Sequence, residues 1–90
     1  MTKCYLCGRA ATLICNPTAT SSFIDCSYCM NYIIEDKLTS LSQKVRNSAA
    51  TYSHNHYRYP GETLKFYQIT RTYKECPDHI YMLSCRVKVP

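Results

Sequence analysis

Four cysteines stand in two pairs, Cys4-x2-Cys7 and Cys26-x2-Cys29, with eighteen residues between the pairs. No other feature of this chain restricts its folding so strongly. Two residues between cysteines let one tight turn aim both sulfurs at a single point. Two such turns supply the four-sulfur tetrahedron that zinc takes, with Zn–S distances of about 2.3 Å. Size explains why such a site is needed. A domain of 90 residues buries only about 60–65% of its unfolded surface, so its core alone is marginal. The 46% hydrophobic content draws heavily on seven cysteines and nine tyrosines, and tryptophan is absent. The odd cysteine count fits poorly with a closed set of disulfides. Met1-Thr2-Lys3-Cys4-Tyr5 reaches a cysteine without the apolar segment of a secretory leader. These features lead to the expectation of a cytoplasmic, reducing setting in which cysteines serve a metal. No apolar run approaches the roughly 18 residues of a membrane span, so no membrane partner is expected.

The pattern divides the chain into three parts within one compact domain. Residues 1–46 form the cysteine module. In it Ala11-Thr12-Leu13-Ile14-Cys15 and Ser22-Phe23-Ile24-Asp25 are β-prone runs around the turn residues Asn16-Pro17, which reads as a hairpin. After Cys29, the residues Met30, Ile34, Leu38, Leu41 and Val45 recur at helical spacing. Pro and Gly are absent from Ser27 to Arg46, and Asp25 or Ser27 is placed to cap a helix. The spacing therefore predicts a helix from the second cysteine pair to about Arg46. Residues 47–62 are polar and aromatic and end in Pro60-Gly61, which reads as a loop. Residues 63–90 read as an antiparallel β-hairpin. Its second strand alternates Tyr81, Leu83, Cys85, Val87 and Val89 against Met82, Ser84, Arg86 and Lys88.

A cysteine knuckle with Gly8 behind Cys7, a hairpin, and a second pair at Cys26 and Cys29 opening a helix resemble the treble-clef zinc finger. The resemblance covers the first half of the chain. It implies an α+β zinc-stabilised fold with one structural Zn2+ held by Cys4, Cys7, Cys26 and Cys29. A zinc ribbon would replace the helix with a second hairpin, and the apolar stripe to Val45 argues against it. Two disulfides, or four unliganded thiols, are the alternatives to the metal. Four thiolates fill the tetrahedron and leave no position for water or substrate, so the site is expected to be structural.

Cys15 and Cys85 read as packing thiols, Cys85 through its alternation with Leu83 and Val87. Cys76-Pro77-Asp78-His79 offers half of a second metal site, which His54 and His56 complete on paper. Asp78-His79-Ile80 is similar to a string in HNH nucleases. That family places its catalytic histidine between the cysteine pairs, however, and this chain has no histidine there. No enzyme and no small-molecule substrate are expected.

Net charge is +5, which favours acidic partners without deciding their kind. Tyr57, Arg58, Tyr59, Lys65, Arg71, Lys74, Arg86 and Lys88 interleave aromatic rings with cations, a mixture that suits a protein interface or exposed bases. The expected function is docking on, and modulation of, a larger protein or nucleoprotein machine, as small proteins encoded by phages and mobile elements often do. The alternative is a zinc-finger regulator that contacts DNA or RNA.

Overall fold

A computed structural model describes residues 2–71 and 79–89, with side chains described for residues 2–67 and 84–89. The chain runs through β1 (Thr2–Lys3), β2 (Ala10–Cys15), β3 (Ser21–Cys26), β4 (Met30–Glu35), a 3-10 turn (Asp36–Ser40), α1 (Gln43–Asn55), β5 (Glu62–Arg71) and β6 (His79–Lys88). The strands form one six-stranded sheet in sequence order. Every neighbouring pair is antiparallel except β4 and β5. A parallel pair needs a crossover of a dozen or more residues. The 3-10 turn, α1 and the segment leading to β5 supply it.

Both hairpins expected from the sequence are present, β2–β3 and β5–β6. The helix is displaced. Met30–Glu35 is a strand, and the single described helix begins at Gln43 and ends at Asn55. The reason is burial on both faces. Tyr32 and Ile34 are 0% exposed and Ile33 is 5% exposed, so β4 is a central strand with an unbroken apolar core. Such a run does not reveal its period. The aromatic and β-branched side chains of Tyr32, Ile33 and Ile34 favour the pleated form. Asp25 and Ser27 cap nothing: Asp25 lies within β3 and Ser27 in the turn after it.

Residues expected to be a loop beyond Arg46 are instead the body of α1. Its N-cap is Ser42, whose side chain accepts from the Val45 N–H. The helix buries only Ala49, Ala50 and Ser53, a face of small residues with a weak apolar signal. Small side chains let α1 lie close to the sheet. The main core there gathers Leu6, Ile24, Tyr32, Ile34, Leu38, Leu64 and Phe66 with the cysteine turns. Cys15 and Cys85, expected to be buried, are exposed. Cys15 ends β2 beyond the reach of two-residue β1 and beside a register shift. Cys85 stands on the terminal strand opposite Lys65, on the face away from Leu64 and Phe66.

Candidate metal centre

The two cysteine pairs occupy equivalent turns, one between β1 and β2 and the other between β3 and β4. The second pair therefore leads into strand β4 and not into a helix. In the first turn the Cys4 N–H donates to the Arg9 carbonyl at 2.7 Å and the Gly8 N–H to the Cys4 carbonyl at 3.0 Å. Gly8, directly after Cys7, has φ 81°. Met30, directly after Cys29, has φ 66°. Both turns thus leave through the left-handed region. Glycine adopts it freely and methionine does so at a cost.

The turns bring Cys4, Cys7, Cys26 and Cys29 together, with all four sulfurs within 4.8 Å of one another. Cys4 and Cys29 Sγ are 3.6 Å apart, and Cys7 and Cys26 Sγ are 3.5 Å apart. These separations exceed a disulfide bond, about 2.05 Å, by far. They approach the edge of a zinc–sulfur tetrahedron, about 3.8 Å for Zn–S distances of 2.3 Å. Cys4, Cys26 and Cys29 are buried and Cys7 is half-buried. The cluster is compatible with one Zn2+, which would supply a closed structural cross-link.

The electrostatics fit the same ion. The hydrogen bond between Cys4 Sγ and Cys29 Sγ holds Cys4 down to about 4 against the opposing effect of burial, with help from the Tyr32 hydroxyl and nearby backbone N–H groups. The same bond, together with burial, pushes Cys29 up, and burial pushes Cys26 up. A dication relieves this conflict by allowing all four sulfurs to ionise. The loaded cluster would carry a net charge of −2, and two arginines are placed against it. Arg9 is raised above its ordinary value by its hydrogen bond to the Cys7 side chain. Its guanidinium sits 4.4 Å from the centroid of the Tyr28 ring. Arg58 is lowered by burial, with the Cys29 charge opposing that shift. Its described partners are carbonyls, a hydroxyl and a sulfur, with no carboxylate among them.

A layer of polar groups fixes the turns. The Tyr32 hydroxyl is 3.1 Å from Cys4 Sγ and accepts from the Tyr5 N–H at 3.1 Å. Helix α1 lies across both turns and satisfies their free carbonyls. Gln43 donates to Leu6 O at 3.1 Å and Arg46 to Tyr5 O at 3.4 Å. Ser53 Oγ donates to Cys29 O at 2.6 Å, and His54 Nδ1 meets Tyr28 O at 2.8 Å. This explains why the helix is so polar. Its side chains serve the turns' backbone, where an apolar face would leave those carbonyls unpaired.

Among the residues expected to bind a partner, Arg58 is corrected to an internal clamp. It donates to Cys29 O and Asn31 O, each at 3.2 Å, to His56 O and Ser53 Oγ, each at 2.6 Å, and to Ser53 O. Its neighbours in the Tyr-Arg-Tyr segment point the other way. Tyr57 is 64% and Tyr59 57% exposed, with their rings 5.4 Å apart edge to face. Arg86 reaches Tyr59 from β6, its guanidinium 5.3 Å from the centre of that ring. Lys88 is exposed on the same strand, paired in register with Glu62, and Lys65 is half-buried opposite Cys85. The side chains of Arg71 and His79, and all of Lys74 and Cys76, lie outside the described residues. His54 and His56 are described, and carbonyls engage both through Nδ1, at Tyr28 and Tyr52 respectively. Each ring also stacks on the tyrosine whose carbonyl it meets.

Sequence reasoning missed Tyr32, Ser53, Met30 and the inward role of Arg58. Met30 carried the one available signal, since it repeats the place of Gly8 behind a Cys-x2-Cys pair. Compared with protein-family models, with curated proteins and with solved structures, the chain gives no match. Among the described residues, no helix is long and apolar enough to cross a membrane.

Proposed function

We propose that this chain is a non-enzymatic, zinc-stabilised docking module that binds an acidic surface on a larger protein or nucleoprotein assembly and modulates it. The observation that carries this reading is the platform of Tyr57, Tyr59 and Arg86, in which the two tyrosines flank Arg58, itself bonded to the second cysteine turn and to β4. Tyr and Arg anchor interface hot spots, and rings held in place before binding lose less freedom on association. The metal site is the foundation: it fixes the turn, the turn fixes Arg58, and Arg58 fixes the two rings that flank it. A closed four-sulfur site leaves no coordination position for a substrate, which agrees with a structural role.

The experiment is affinity capture from extract of the source cells, after nuclease treatment, with the zinc-loaded chain and with the Tyr57→Ala/Tyr59→Ala variant. The proposal expects a protein that the wild type retains and the double variant loses. The second reading is a nucleic-acid regulator, and exposed tyrosines beside Arg86 are its support, since bases stack on such rings. Titration of random single- and double-stranded DNA and RNA separates the two. Binding with a steep logarithmic salt slope, abolished by the same double variant, favours the second reading over the first.

A further inference from the structure

The two edges of the sheet are treated differently. At one edge, β1 is only two residues long, and β2 behind it carries a register shift between Leu13 and Cys15. A short edge strand and a bulge are both devices that prevent further pairing. At the other edge β6 has ten residues and keeps continuous register with β5, from Glu62–Lys88 to Arg71–His79. It contains no proline or glycine and no bulge, and Ile80, Tyr81, Met82, Leu83, Cys85 and Val87 make its sequence mostly apolar. No described strand pairs with its outer side. Among the described residues the last β4–β5 pair is Ile34–Phe66, so the described backbone pairing of residues 67–71 is with residues 79–83 alone. Two strands alone are marginal in water, and a third stabilises them.

We propose that β6 pairs antiparallel with β6 of a second copy, joining two sheets across a two-fold axis at Ser84. The charge pattern selects this occupant and direction. Both cations of the strand, Arg86 and Lys88, lie in its second half, and the first half from Ile80 to Leu83 is neutral. Antiparallel pairing about Ser84 sets Arg86 against Met82 and Lys88 against Ile80 of the second copy, so like charges stay apart. Parallel pairing would align them. The same register opposes Tyr81 to Val87 and Leu83 to Cys85, which are favourable cross-strand pairs. The axis is perpendicular to the sheet, so both Tyr57–Tyr59–Arg86 platforms come to the same side of the joined sheet. The dimer is then bivalent toward a repeated partner surface.

Sedimentation velocity on the intact zinc-loaded chain over a range of concentrations tests this. The interface is one strand wide, below the standard size, so a dissociation constant of roughly micromolar or weaker is expected. In the proposed register residue 84 faces itself. Ser84→Lys and Ser84→Glu should therefore each weaken the dimer by about tenfold or more, and their equimolar mixture should restore it as a heterodimer. The wild type gives a second readout. The two Cys85 residues become diagonal neighbours on one face, about 7–8 Å apart, within reach of a short bis-maleimide. A Cys85–Cys85 cross-linked peptide is expected. A chain that stays monomeric throughout, a dimer indifferent to charge at position 84, a mixture that fails to recombine, or the absence of that peptide would each overturn the proposal.

Discussion

Arg58 donates a hydrogen bond to the carbonyl oxygen of Cys29 at 3.2 Å, joining the segment that carries the exposed tyrosines to the backbone of the second cysteine turn. The same guanidinium also holds Asn31 O two residues on, and Ser53 and His56 on the helix side. Lysine has the charge but not the planar fork that reaches several acceptors at once. Arg58→Lys is expected to destabilise the zinc-loaded protein by about 2–3 kcal/mol, because half-buried carbonyls lose their donor. Urea unfolding at fixed free zinc measures this. A change within error would show that the clamp is dispensable.

Tyr32 ties the metal site to the core. Its ring is fully buried against Phe66, and its hydroxyl meets both Cys4 Sγ and the Tyr5 N–H. Tyr32→Phe keeps the packing and removes only the oxygen. Zinc affinity, read by competition with a chromophoric chelator, should fall by about tenfold, as is usual when a group supporting a ligand is lost.

Met30 occupies a backbone conformation that favours glycine. Met30→Gly is expected to raise stability by up to about 1 kcal/mol. Met30→Val, whose branched side chain tolerates positive φ poorly, should lower it by about 1–2 kcal/mol. The ordering of the two variants in thermal melts is the test, and the reverse order would refute the equivalence of Gly8 and Met30.

The cysteines divide by role. Cys15 and Cys85 are exposed, so Cys15→Ser and Cys85→Ser should retain zinc and change stability by no more than about 0.5 kcal/mol. Cys4→Ser and Cys29→Ser should lose the metal and with it the cooperative unfolding transition, since metal binding in such small domains is folding free energy. Elemental analysis beside circular dichroism distinguishes the two classes.

Much of this could be read from the sequence, and the failures have physical causes. The four-cysteine cluster was legible because the spacing of Cys-x2-Cys pairs is a direct geometric statement. The β2–β3 and β5–β6 hairpins were legible from β-branched runs and alternation. The helix was misplaced because two signals competed. Met30, Ile34, Leu38, Leu41 and Val45 fall at helical spacing by coincidence. Leu38 is buried in the 3-10 turn, Leu41 is only partly buried, and Met30 and Val45 are exposed. The true helix hides its contact face in Ala49, Ala50 and Ser53, residues that hydropathy barely registers. Its polar side chains looked like a loop, although Gln43, Arg46, Ser53 and His54 are occupied with turn carbonyls. Arg58 was misread because a cation between two tyrosines suggests an outward surface. Nothing local announces that a backbone 27 to 29 residues earlier needs its donors.

The central claim is that four sulfurs and one zinc ion organise this fold. X-ray absorption at the zinc edge, on the intact chain loaded with one equivalent of zinc, tests it most directly. The account predicts four sulfur neighbours at about 2.3 Å and no nitrogen in the first shell. A shell mixing nitrogen with sulfur, or a chain that folds without metal while Cys4, Cys7, Cys26 and Cys29 remain free thiols, would contradict it.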